Sequence, residues 1–428
     1  MKFKIFGCKV NKYYTDEWLK SEYLKDKDGI FVASCVVTDK AKRKWIKFVK
    51  DSIEELSGDD KIFISGCGAF KKGEAQEDFY DIYPELKEFE GKIVILGEKP
   101  EELQIEIDNQ TKKEGKKQKK LDLSKLPKIP QIYTKKFLLI QGGCNSFCTF
   151  CLTVQKRGRH YYRDKDDIVS EITEFEFGGG KEVVLTGVNL SAWGLKDTND
   201  VGQSRFAELL EYILEKTTIP RIRISSLGPE FIDEKCLEIF KNKRIYPHFH
   251  YSVQSGSSSV LKDMRRHYDG KYMRDLLEKT KNLQREDGVE VSIGADIIVG
   301  FPGETEKDFL ETYNLVKDGL ITKVHAFPFS PHKFGESVPA GNFENQVGDK
   351  EKKERMWELE AIADSVRDDF IDRNIGKRFE VLIEVVKEED GKTRWKGWTE
   401  NYIEADDKTF DILEGEIAKN NIVIGILK

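Results

Sequence analysis

Between residues 137 and 330 the chain repeats one unit, a short apolar run that ends in glycine or polar residues, followed by an amphipathic stretch. The runs are FLLIQ (137–141), EVVLTG (182–187), RIRISS (221–226), HFHYSVQ (248–254), VSIGADIIVG (291–300) and VHAFPFS (324–330). Between them, Ile168, Ile172 and Phe175 share one helical face, as do Phe206, Leu209, Leu210 and Ile213. Parallel strands need long crossovers, commonly helical, so this alternation restricts the segment to parallel α/β architecture. Six such units predict a parallel, partial barrel-like sheet with its ligand site at the carboxyl ends of the strands. Those ends read TGVN (186–189), SS (225–226), QSG (254–256) and GFPGE (300–304). Each alone reads as an ordinary turn; together around one mouth they predict a ligand pocket.

The first of these strands runs into CNSFCTFC (144–151), three cysteines spaced CxxxCxxC in a chain that has only seven. Thiolates bind soft metals, and three of them leave one iron of a four-iron cluster open to another ligand. Structural zinc, with His160 as a distant fourth ligand, or a disulfide are the other readings of these residues alone.

Upstream, KFKIFG (2–7), GIFVAS (29–34), KIFISG (61–66) and KIVILG (92–97) are strand-like, with charged amphipathic stretches such as 39–56 between them. An open, mainly parallel sheet is expected. Its first three strands are followed by Cys8, Cys35 and Cys67, which would converge on one sheet edge. They read either as three small buried hydrophobes or as a second three-cysteine metal site. KKEGKKQKK (112–120), with Pro127 and Pro130 beyond it, reads as a solvated basic linker, either a plain spacer or one that touches phosphates.

A chain of 428 residues should divide into two or three domains. No apolar run approaches the roughly 20 residues that span a bilayer, and MKFKIFGC lacks a signal-peptide core, so a cytoplasmic protein with reduced thiols is expected. A net charge of −6 gives no global case for nucleic-acid binding; local patches must make it. Towards the C-terminus a helix is expected over 350–373, then short strands forming a small antiparallel β-barrel. Arg394, Trp395, Lys396, Trp398 and Tyr402 are its candidate RNA contacts, although the segment has more acidic than basic residues.

The CxxxCxΦC spacing, with Phe150 before the last cysteine, resembles the radical S-adenosylmethionine (SAM) superfamily. The wider chain resembles the methylthiotransferase family, in GCKVNKY (7–13), SCVVTDKAKRK (34–44), SGCGA (65–69), EVVLTGVNL (182–190), RIRISSL (221–227), VQSGSSSVLKDMRR (253–266), GADIIVGFPGETEKDF (294–309), FPFSP (327–331) and GWTENYIE (397–404). GCKVN followed by CVVT looks most like the branch acting on threonylcarbamoyladenosine in tRNA. The sequence departs from the family pattern at Ser34, in Leu152-Thr153-Val154, in RGRHYYR (157–163) and at His332.

The resemblance implies four segments: an N-terminal methylthiotransferase domain (1–105), the basic linker (106–134), a TIM-like radical SAM barrel (135–374) and a TRAM-like β-barrel (375–428). It implies one 4Fe–4S cluster on Cys144, Cys148 and Cys151, and an auxiliary one on Cys8, Cys35 and Cys67. Phe150, Thr186, Gly187, Asn189, Ser226, Gln254 and Phe329 would border SAM. Lys42, Arg43, Lys44, Arg157 and Arg159, with Arg394, Trp398 and Tyr402, would meet a tRNA anticodon stem-loop. The chemistry would be radical, with no side-chain acid or base, two SAM molecules per product, an external electron donor and a monomeric enzyme. His248, His250 and His267 are read as packing or pocket polarity, and Cys236 as packing. The alternatives are action on isopentenyladenosine or on a ribosomal-protein aspartate, or a non-catalytic metal-bearing RNA-binding module.

Overall fold

The computed structural model describes residues 1–101, 133–197, 204–332 and 336–428; the basic run 112–120 lies outside the described residues. At the N-terminus Lys2–Ile5, Gly29–Ser34, Lys61–Gly66 and Ile93–Ile95 form a four-stranded parallel sheet in chain order. Its helix Asp39–Glu54 starts where the Thr38 side chain accepts the Ala41 N–H, a cap worth about 1 kcal/mol. Trp45, Val49 and Ile53, at helical spacing, bury against Val32, Ile62 and Ile64. Truncating the fully buried Trp45 to alanine should cost about 3–5 kcal/mol.

The first strand is shorter than its apolar run suggests. It ends at Ile5, and Cys8 instead stands immediately before the helix Lys9–Lys20. Gly7 makes the connecting turn at φ +110°, where a side chain would press to 3.1 Å of the Cys35 Sγ. Glycine there lets the chain pass close to that cysteine.

Seven strands of the central segment pair in parallel within two sheets. Lys136–Gly142, Glu182–Gly187 and Arg221–Ile224 pair in sequence, and Ser226–Leu227, His248–Gln254, Ser292–Val299 and Lys323–Pro328 do so in a second sheet. The expected single strand over 221–226 is therefore split, and the run 221–227 hands the chain from one sheet to the next.

Strand alternation gives the two faces opposite characters. Leu138, Val183, Ile222, Phe249 and Ile293 bury in the core beneath the flanking helices. The alternate positions carry polar side chains, among them Glu182, Arg223, His250 and Asp296. At one end of this second face the helix Lys9–Lys20 packs Val10 and Tyr13 onto Phe137, Leu139 and Val184. The N-terminal segment is thereby locked to the central one.

After the helix Asp349–Asp372, five antiparallel strands between Arg378 and Leu427 enclose Phe379, Val381, Ile383, Phe410 and Val423. Trp395 is part of that core, which corrects its reading as an RNA contact. The sheet docks on the N-terminal ends of the central strands. There Arg223 donates to the carbonyls of Glu400 (3.0 Å) and Thr399 (2.7 Å), and Arg221 to that of Trp398 (3.1 Å). Glu182 accepts from both arginines, at 2.8 and 2.9 Å. Burial pushes its carboxyl up, but Arg223 and Arg221 outweigh that and hold it at about 2. Tyr402 lies stacked on Trp398 (4.4 Å) and on His248 (4.3 Å). Both aromatics are half-buried in this junction, so they are not a free platform for bases. The half-exposed Arg394 is paired with Asp407. Among the described residues no helix is long and apolar enough to cross a membrane.

Candidate cofactor and substrate site

The strand Lys136–Gly142 delivers the cysteine loop to the far end of the central strands. Gly143 turns the chain at φ +60°, where a Cβ would fall 1.8 Å from the Arg159 carbonyl oxygen, so only glycine is accommodated. Local donors surround the thiols. The Ser146 N–H points to Cys144 Sγ at 3.4 Å and the Thr153 N–H to Cys151 Sγ at 3.4 Å. Arg266 Nη1 reaches Cys148 Sγ at 3.5 Å.

Burial first, and then the neighbouring Cys148, push the Cys151 thiol up to about 12; Cys144 moves the same way, raised by burial and by Cys148. Cys144 and Cys151 thus both feel Cys148, and a cation among them would favour their thiolate forms. His160 cannot complete a four-ligand zinc site. Its Nδ1 lies 2.9 Å from Gln141 Nε2 and its Nε2 lies 3.0 Å from the Leu195 carbonyl oxygen, so both ring nitrogens are engaged. The donor set is three soft ligands without a fourth from His160, which fits a cubane with one iron left to another ligand.

The second trio also converges. Burial and then Cys67 push the Cys35 thiol up to about 12, with Cys8 adding to it; burial raises Cys67, opposed by Arg157 and reinforced by Cys8. Arg157 lies among these thiols. It donates to Asn11 Oδ1 at 2.7 Å and pairs with the buried Glu98. Next to it Lys156 pairs with Glu336, which also takes Lys42 at 2.9 Å. Lys42 and Arg157, expected to contact phosphates, are therefore buried between the two segments with their charges answered internally. Their positions in basic runs gave no sign of this. Arg43, Lys44 and Arg159 are exposed, and the Arg159 guanidinium lies 5.1 Å from the ring of the exposed Phe147.

The strand-end residues separate into two groups. Gln141 Oε1 accepts the N–H groups of Val188 (3.0 Å) and Asn189 (2.8 Å), and Ser191 bonds the Gly228 backbone in both directions, so the first three strand ends are laced together. At Gly187 a Cβ would come 2.7 Å from that of Leu190, which accounts for a glycine there. Gln254 turns at φ +65° beside this mouth, and Phe150 and Ser226 are half-buried. Thr186 is fully buried with its hydroxyl donating to the Val184 carbonyl at 3.0 Å, and Phe329 is buried against Phe301 at 5.5 Å. In this structure both side chains serve packing and not the surface of a cofactor pocket. Cys236 is buried in the core, as expected, and His267 is exposed. Arg266 was missed as a thiol partner although it closes the VQSGSSSVLKDMRR run.

Residues 138–316 match the family model of the Radical SAM superfamily, so the central strands and their cysteine loop form a radical SAM domain. Over 400 residues the chain is 33% identical to the threonylcarbamoyladenosine tRNA methylthiotransferase MtaB of Thermotoga maritima, covering 90% of this chain and 86% of the relative. The MtaB protein of Bacillus subtilis is 29% identical over 98% of this chain and 93% of its own length. The tRNA-2-methylthio-N(6)-dimethylallyladenosine synthase of Clostridium botulinum is 31% identical over 97% and 94%. Among solved structures, the radical SAM methyltransferase TsrM from Kitasatospora setae aligns at a TM-score of 0.47 and 13% identity, covering 76% of this chain and 69% of that one. The chain belongs to the radical SAM methylthiotransferase family.

Proposed function

We propose that this enzyme converts N6-threonylcarbamoyladenosine in a tRNA anticodon loop to its 2-methylthio derivative, with two 4Fe–4S clusters and two SAM molecules per product. The observation that carries the reading is the convergence of two separate cysteine trios, of which a radical SAM domain alone needs only one. Cys144, Cys148 and Cys151 would hold the first cluster, and Cys8, Cys35 and Cys67 the second. When bound, the first would relay an electron from an external donor for reductive cleavage of SAM, and the second would carry the sulfur to be methylated and transferred.

The protein's own part is placement and charge. Arg266, Ser146 and Thr153 hold the first set of thiolates by hydrogen bonds, as neighbouring donors do for iron–sulfur ligands generally. The Gln141 lattice fixes the strand ends that would border SAM. The Arg157–Glu98 and Lys42–Glu336–Lys156 pairs clamp the sulfur-bearing segment over the radical-bearing one, so that the base is approached from both. Arg43, Lys44 and Arg159 remain as the exposed cations for tRNA phosphates.

The central strands then act as a partial TIM-like barrel and the C-terminal strands as a TRAM-like module, with divisions near 105, 134 and 374. The test is mass spectrometry of tRNA nucleosides from a strain lacking this gene and from the complemented strain. Loss and recovery of methylthio-threonylcarbamoyladenosine are expected. Loss of the methylthio-dimethylallyl nucleoside instead, or no change, would overturn the reading.

A further inference from the structure

The polar face of the central strands holds a side-chain cluster that the cluster chemistry does not use. His250 Nε2 lies 3.0 Å from Asp296 Oδ1, and His325 Nδ1 lies 3.7 Å from the same oxygen. The three come from adjacent strands, since His250 stands beside Gly294 and Asp296 pairs with His325. The cluster opens outwards, with side-chain exposure rising from 7% at His250 through 28% at Asp296 to 47% at His325.

Two histidines and a carboxylate with donor atoms within 4.8 Å could hold a divalent cation. The surroundings argue for the opposite charge. Lys9, at the start of the helix that packs on this face, lies within electrostatic reach of Asp296, Arg223, Lys135 and Lys12. His248 is surrounded by Lys9, His250, Arg223 and Lys323. The other carboxylate of this face, Glu182, is already shared by Arg221, Arg223 and Lys135. Lys9 makes no ion pair among the described residues. Lys135 is itself answered by Glu384 at 2.5 Å, which leaves the Lys9 ammonium as the charge that a divalent cation would oppose and an anion would relieve.

We propose that Lys9, His250, Asp296 and His325 form the receptor for an anionic substituent on the substrate base, a carboxylate. Lys9 supplies the counter-charge and a hydrogen bond, His325 closes the open edge, and Asp296 fixes the two rings. The inference rests on the tRNA reading above and deepens it. A threonylcarbamoyl group carries a carboxylate, and a dimethylallyl group carries none.

The test compares equilibrium binding, to iron-loaded enzyme, of an anticodon stem-loop bearing threonylcarbamoyladenosine and of one with a carboxamide in place of the carboxylate. Wild type should prefer the carboxylate by about tenfold or more, the discrimination expected of a charged hydrogen-bonded contact. Lys9→Met and His325→Phe should each bring the two stem-loops within about twofold, at unchanged iron content. Half-exposed His325 can be replaced without opening the core, which guards against a folding artefact. Equal affinities in wild type, or discrimination retained by both variants, would overturn the inference and leave the tRNA reading standing. So would one equivalent of a non-cluster divalent metal in wild type that His325→Phe loses. If neither stem-loop binds, the tRNA reading fails, and the same comparison with the free nucleosides decides the inference.

Discussion

Replacing Arg157 with methionine would expose how the two halves of the site are held together. The side chain is buried, bonded to Asn11 and paired with Glu98, with the auxiliary thiols beside it. Methionine keeps much of the volume but leaves the Glu98 carboxylate buried without its counter-charge. Breaking one partner of a buried pair costs about 3–5 kcal/mol, which at about 2–4 °C per kcal/mol lowers Tm by about 6–20 °C. The pH dependence is diagnostic. Burial already pushes the Glu98 carboxyl above its ordinary value, with Arg157 pulling the other way. Without Arg157 it rises further, so the folded state holds a proton that the unfolded state releases. The variant's deficit should therefore be small near pH 5, below the rise, and should grow as pH climbs towards 8. Adding Glu98→Gln should recover most of the loss. Anaerobic thermal melts of wild type, both single variants and the double variant across that range provide the assay. A Tm equal to wild type, additive losses in the double variant, or a deficit that shrinks with rising pH would refute the clamp.

Arg266→Gln should reduce reductive SAM cleavage about tenfold with iron content unchanged, because one charged hydrogen bond to Cys148 is lost while all three thiols remain; 5′-deoxyadenosine release measured against iron content checks it. His160→Ala should retain a full complement of iron, since both ring nitrogens already bond protein atoms; loss of iron would make it a ligand after all. Tyr402→Ala should destabilise the C-terminal junction by about 1–3 kcal/mol, from two aromatic stacks; chemical denaturation, with hydrogen exchange at Arg221–Ile224 as the local readout, checks it.

Strand positions in the central segment were legible because local apolar runs dictate them. Glu182–Gly187 and His248–Gln254 coincide with their runs residue for residue. The break between Arg221–Ile224 and Ser226–Leu227 was not legible, because it depends on which neighbour each half pairs with. The cysteine trios were legible by their spacing and by their place after apolar runs. Cations were the poorest guide. Lys42 and Lys44 stand two residues apart in one helix, yet the first is buried on Glu336 and the second is exposed. Glu336 lies almost 300 residues further along the sequence, and nothing local to Lys42 announces it. Trp395 and Trp398 make the same point, one inside the small sheet and the other at its docked edge.

The two cysteine trios are proposed to do different work, and one anaerobic reaction tests it. Iron-loaded wild type, Cys144→Ala and Cys35→Ala are each incubated with SAM, a reductant and a threonylcarbamoyl-bearing stem-loop. Both 5′-deoxyadenosine and the methylthio nucleoside are then quantified by mass spectrometry. Wild type should form both, Cys144→Ala neither, and Cys35→Ala 5′-deoxyadenosine without the methylthio nucleoside. Methylthio product from Cys35→Ala, or SAM cleavage by Cys144→Ala, would contradict it.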